Sequence, residues 1–145
     1  MCVSGNIKNM KHFLNHFLAY FILVFSGFAL AQIPGAQHSE GIAYISGGVG
    51  EEESAAILAE AKQWPVLLEM SQLENGRGVW IFGAQIKITN QEQKAIFNAQ
   101  ADGPYMLINL APGNYQVIGS YQGAEQKRNL IVKADSSQKL NIFWK

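Results

Sequence analysis

Asp102-Gly103-Pro104-Tyr105-Met106-Leu107-Ile108-Asn109-Leu110-Ala111-Pro112-Gly113-Asn114-Tyr115-Gln116-Val117 is the stretch whose reading decides the fold. Asp-Gly signals a turn, the run from Tyr105 to Leu110 is apolar on both faces, and Tyr115, Val117 and Tyr121 alternate after Pro112-Gly113. Pro112 fixes φ at the first central position of a turn, and Gly113 can take the positive φ that a type II turn requires next. The stretch predicts strand, tight turn, strand: a β-hairpin of an antiparallel sandwich.

On either side of it the period stays at two. Trp80, Phe82, Ala84, Ile86 and Ile88 fall on one face, and Ile81, Gln85, Lys87 and Thr89 on the other. Alternation of this kind marks half-buried strands. Asn90-Gln91-Glu92-Gln93 reads as a turn and Ala95-Ile96-Phe97 as a short strand. Gln122-Gly123 turns the chain into Asn129-Leu130-Ile131-Val132, and Leu140, Ile142 and Trp144 alternate to the end. Lys127 and Arg128 with Glu125 read as charges that protect an edge strand from aggregation.

Further upstream the period changes. Ile42–Ser46 is a short strand candidate, broken by Gly47-Gly48-Val49-Gly50. Glu51, Glu52 and Glu53 then open a helix running to about Gln63, because carboxylates oppose the positive end of the helix dipole. Pro65 stops it after Trp64, and Val66, Leu68 and Met70 alternate with Leu67 and Glu69 as a strand. The predicted fold class is α+β: an antiparallel β-sandwich preceded by a short β-α-β segment.

The order Gly83-Ala84, Ile86, Ile88, then Asp102-Gly103-Pro104-Tyr105, then Leu110-Ala111-Pro112-Gly113-Asn114-Tyr115 and Val117, closed by Tyr121-Gln122-Gly123, resembles the carboxypeptidase regulatory-like (transthyretin-like) domain. Ala111 stands where that family's pattern has its first proline. The resemblance covers residues 78–145 and rests on turns rather than on reactive groups. With the Gly47–Glu52 loop before the helix, the layout is similar to small exported proteobacterial proteins known by this domain alone. The resemblance implies a non-catalytic β-sandwich accessory module and names no ligand.

The N-terminus reads as an address. Lys8 and Lys11 form a basic region, Phe17 to Phe28 is an uncharged apolar run, and Ala29-Leu30-Ala31 supplies a small-x-small cleavage pattern before Gln32. The run is shorter than the ~20 apolar residues of a spanning helix, which favours a cleaved signal over an anchor. The expected organisation is a signal peptide over 1–31, a flexible leader over 32–39, a β-α-β segment over 40–75 and the sandwich over 76–145. Export to the periplasm or beyond follows, with the membrane met only by the signal segment.

Composition narrows the chemistry. Cys2 is the single cysteine and precedes the expected cleavage site, so the mature part has no disulfide. Two of the eleven basic residues, Lys8 and Lys11, are lost with the signal, leaving nine against eleven acidic ones and a formal charge of −2. That balance is not the basic footprint of a nucleic-acid binder. His12 and His16 lie in the signal, leaving His38 in the leader. A Ser-His-Asp arrangement or a zinc site then lacks its usual groups, so the chain is read as non-enzymatic, with no catalytic, metal or cofactor residues. A hydrolase built on Ser46 or on the glutamates is the remote alternative.

The Gly47–Gly50 loop lacks the Lys-Ser/Thr of a phosphate-binding loop, and Glu51, Glu52 and Glu53 diverge by ~100° each around the helix, so they do not converge on one ion. Both read first as structural. As a recognition surface the sequence offers Gly47, Gly48, Gly50, Glu51, Glu52, Glu53 and Trp64, for a protein partner in the cell envelope. The alternative is a carbohydrate-binding module using exposed Trp or Tyr. Most aromatics sit at core-facing alternations, Trp64 and Tyr121 being the expected exceptions.

Overall fold

The computed structural model describes residues 32–145. The expected signal peptide, residues 1–31, lies outside the described residues. The described chain is mostly β, with two sheets and one short α-helix, consistent with a β-sandwich.

The strands are β1 (Gln37–Ser39), β2 (Ile42–Gly47), β3 (Val66–Glu74), β4 (Arg77–Trp80), β5 (Gln85–Thr89), β6 (Ala95–Gln100), β7 (Tyr105–Ile108), β8 (Gly113–Tyr121), β9 (Ala124–Val132) and β10 (Gln138–Trp144). Helix α1 (Glu51–Glu60) continues into a single 3-10 turn, Ala61–Gln63. Within the expected leader, Gln37–Ser39 forms β1. Its Ser39 hydroxyl donates to the Asn98 carbonyl at 2.8 Å and accepts from the Asn98 N–H at 3.0 Å, tying β1 to β6 of the other sheet.

The first sheet runs β1-β2-β7-β3-β10, and the second β6-β5-β8-β9. Along one edge of β3, β7 pairs with Val66–Glu69 and β4 continues along Ser71–Glu74. Every pair is antiparallel except β3 with β10, which run parallel over seven register pairs from Gln138↔Val66 to Trp144↔Gln72. Strands β2 and β3 are each antiparallel to β7, hence parallel to one another, and α1 joins them in sequence.

Three hairpins are closed by two residues at positive φ: Glu40-Gly41, Asn75-Gly76 and Gln122-Gly123. Turns of that conformation match the twist of the strands they join.

Alternation sorts the side chains into two cores. Val66, Leu68, Met70, Met106, Ile108 and Ile142 of the first sheet face Ile86, Ile88, Phe97, Val117, Leu130 and Val132 of the second. On the opposite face of the first sheet, Ile45, Leu67, Tyr105 and Leu107 are covered by Ile57 and Ala61 at the helix, with Ile33 and Trp64 packed alongside. Covering both faces is why β7 is buried at all four positions and reads as a continuous apolar run.

Two expectations are corrected. The chain from Tyr105 to Tyr121 is not a hairpin: β7 lies in the first sheet between β2 and β3, and β8 in the second between β5 and β9. Buried Leu110 and the residues around it carry the chain from one layer to the other. Gly113 accordingly does not adopt positive φ. It opens β8, opposite Val132. The second correction concerns Trp80 and Phe82, which do not share a face with Ala84, Ile86 and Ile88. Ile81 is buried, whereas Trp80 and Phe82 are 58% and 67% exposed. Between them and β5 the chain changes sheets, and Gly83 at φ +83° breaks the alternation there.

Candidate functional site

The loop before α1 is built by glycines and closed by the helix that follows. Gly48 and Gly50 both have φ of +95°, a region that side chains with a Cβ rarely enter. The Gly48 N–H donates to Glu53 Oε1 at 2.6 Å, and the Ser54 hydroxyl donates to the Gly48 carbonyl at 2.7 Å. Glu53 is therefore committed to holding the loop, and charge assistance makes that bond stronger than a neutral one. Gly47 has no room for a side chain, because a Cβ there would meet the Glu53 carboxylate and Pro34. Glu51 and Glu52 remain exposed.

Trp64 does not join this loop. It sits past the other end of α1, roughly 20 Å along the helix at ~1.5 Å per residue. There its indole N–H donates to Glu60 Oε1 at 3.2 Å. It lines a cleft of about 300 Å³ with Pro65, Pro112 and the β9–β10 connection, whereas Glu51, Glu52 and Glu53 line a separate depression near Val49. Tyr121 is half-buried and stands edge-on to Trp144, with ring centroids 5.9 Å apart.

The loop is instead continuous with two aromatic rings, buried Tyr105 and, beyond it, Trp80, whose exposure the alternation did not reveal. A Cβ on Gly48 would strike the Tyr105 ring, so the glycine lies flat against it. The Trp80 ring lies against Tyr105 as well, with centroids 5.8 Å apart and planes tilted by 60°. Register extends the surface: Ser71 is opposite Trp80 on one side and Phe143 on the other. Two residues on, Leu73 is exposed, and beside Gly48 in the chain Val49 is 61% exposed. Beyond the cover of α1, the outer face of the first sheet thus presents Leu73, Trp80 and Phe143 around Ser71. Nothing in the spacing separated Trp80 from the core. The available signals were Asn75-Gly76, a two-residue hairpin turn, and Gly83.

Burial, and after it the nearby Glu69 carboxylate, push the Tyr105 hydroxyl above the usual tyrosine value despite the opposing Lys139, so it stays protonated at neutral pH. Glu69 is ion-paired with Lys139. Among the described residues, no three His, Cys, Asp or Glu side chains lie close enough together to hold a metal ion. Among them also, no helix is long and apolar enough to cross a membrane. No protein-family model and no curated protein matches the chain.

Proposed function

We propose that the chain is a non-enzymatic interaction module of the cell envelope, exported by residues 1–31, and that it contacts a protein partner through the surface centred on Trp80. The single observation supporting this reading is an exposed tryptophan on a sheet face beside exposed Leu73, next to a glycine loop whose Glu51 and Glu52 form an acidic border. Large exposed apolar groups grouped on one face mark contact sites rather than solvent surface. The finer fold reading, an α+β carboxypeptidase regulatory-like sandwich, belongs to the same proposal, with β2 and β3 of residues 40–75 built into the first sheet on either side of β7. It draws support from Gln122-Gly123 falling at a β-turn.

The test is affinity capture from envelope extract with wild-type protein and with Trp80→Ala. The reading expects one or more captured proteins to be lost in the variant while its melting temperature is retained. Identical capture by both would reject the surface as the contact site.

A further inference from the structure

Among the described residues, no helix covers the outer face of the second sheet. At one end, the β5–β6 turn meets the start of β8 and the end of β9, forming a groove of about 410 Å³ that adjoins a shallower depression of about 250 Å³. That volume lies within the ~300–1,000 Å³ of small-molecule clefts. Register builds its floor: Gln116 is opposite Thr89 on one side and Asn129 on the other, and Asn114 is opposite Ile131. Gln91 comes from the turn, which is fixed because Asn90 Oδ1 accepts from the N–H groups of Glu92 and Lys94, both at 3.0 Å. Tyr115, whose hydroxyl donates to the Ala111 carbonyl at 2.7 Å, packs against the core from the other face of β8 and anchors the strand that carries Asn114 and Gln116. Among the described residues, no hydrogen bond inside the protein engages the side-chain amides of Gln91, Asn114, Gln116 or Asn129.

We propose that this groove binds a neutral oligosaccharide. A primary amide both donates and accepts, as a sugar hydroxyl does, so four amides converging on one groove match a ligand rich in hydroxyls. No charged side chain lines the larger depression, which gives phosphate, carboxylate or ammonium groups nothing to pair with. The apolar C–H face of a sugar ring finds Ile131, which is 58% exposed and stands opposite Asn114 on the same face. The site lies on the other sheet from Trp80 and does not rest on the protein-contact reading.

The test is affinity electrophoresis of the full-length chain in gels containing soluble starch, laminarin or galactomannan, with acidic alginate as the fourth polymer. At least one neutral polymer should retard the wild type, and Gln116→Ala with Asn129→Ala should weaken that retardation about tenfold, as expected for losing two hydrogen bonds. Trp80→Ala should leave it unchanged, which separates this site from the protein-contact surface. A readout independent of substitution is NMR: titrating the retarding polymer's oligosaccharide should shift the side-chain amide signals of Asn114, Gln116 and Asn129. Retardation by none of the neutral polymers, by alginate alone, or equally in the double variant would overturn the proposal. So would amide signals that stay fixed on titration.

Discussion

Replacing Gly103 by alanine perturbs the fold where its two crossing segments touch most closely. A Cβ built on Gly103 falls against the backbone of Gly47, meeting its carbonyl oxygen, carbonyl carbon and Cα. Backbone atoms within β2 cannot swing aside as a side chain end would, so either β2 or the 102–104 segment must move. Forced overpacking of that kind costs about 1–3 kcal/mol. The same shift strains the adjacent bond in which the Asp102 N–H donates to the Ser46 hydroxyl oxygen at 2.7 Å, worth about 1 kcal/mol. Together the loss is about 2–4 kcal/mol, or roughly 8–16 °C in melting temperature at about 4 °C per kcal/mol. Gly113→Ala is the matched control. Its φ is not positive, and the nearest atoms to a new Cβ belong to Tyr115 at 3.4–3.5 Å, an ordinary contact. Restricting the unfolded chain then makes this change neutral or stabilising by up to about 1 kcal/mol. Thermal and urea unfolding of both variants decide the matter. A Gly113→Ala protein destabilised as much as Gly103→Ala would refute the crossover and restore a tight turn at Pro112-Gly113.

Glu53→Ala removes the acceptor of the Gly48 N–H and should cost about 1–3 kcal/mol by urea unfolding, whereas Glu51→Gln with Glu52→Gln should cost under about 1 kcal/mol. Tyr105 should ionise above the usual tyrosine value in an absorbance titration at alkaline pH, and Tyr105→Phe should abolish that component. Because the unfolded state ionises this hydroxyl first, at about pH 10, its raised native value makes stability fall as pH rises above that point. Phe97, fully buried and edge-on to Tyr44 at 5.2 Å, should lose about 3–5 kcal/mol on replacement by alanine, measured at equilibrium in urea.

Local signals with a physical cause were legible along the chain. Glu51–Glu53 and Pro65 bracket the helix because dipole and ring sterics act within a turn, and Gln122-Gly123 declares its hairpin because both residues must accept positive φ. Which strands pair was not legible. A run such as Tyr105–Ile108, apolar on both faces, says that both faces are covered but not that β2 and β3 flank it. Pro112-Gly113 serves a crossing between sheets as readily as a hairpin. The candidate surface was half legible: Gly47 and Gly48 mark a close approach, but the contacting ring is Tyr105, more than fifty residues away. Trp80 was assigned to the core because a period of two says nothing of where a chain changes sheets. The unpaired amides of Asn114, Gln116 and Asn129 converge only through strand register, which no single segment encodes.

The account's central functional claim is that Trp80 lies at a protein contact. The most direct measurement is photo-cross-linking in cells, with a benzophenone amino acid placed at position 80 and, for comparison, at position 87 on the exposed outer face of the second sheet. The account predicts a discrete protein adduct from position 80 and none from position 87. An adduct equally strong from both positions, or none from position 80 in protein that is folded and present at normal level, would contradict it.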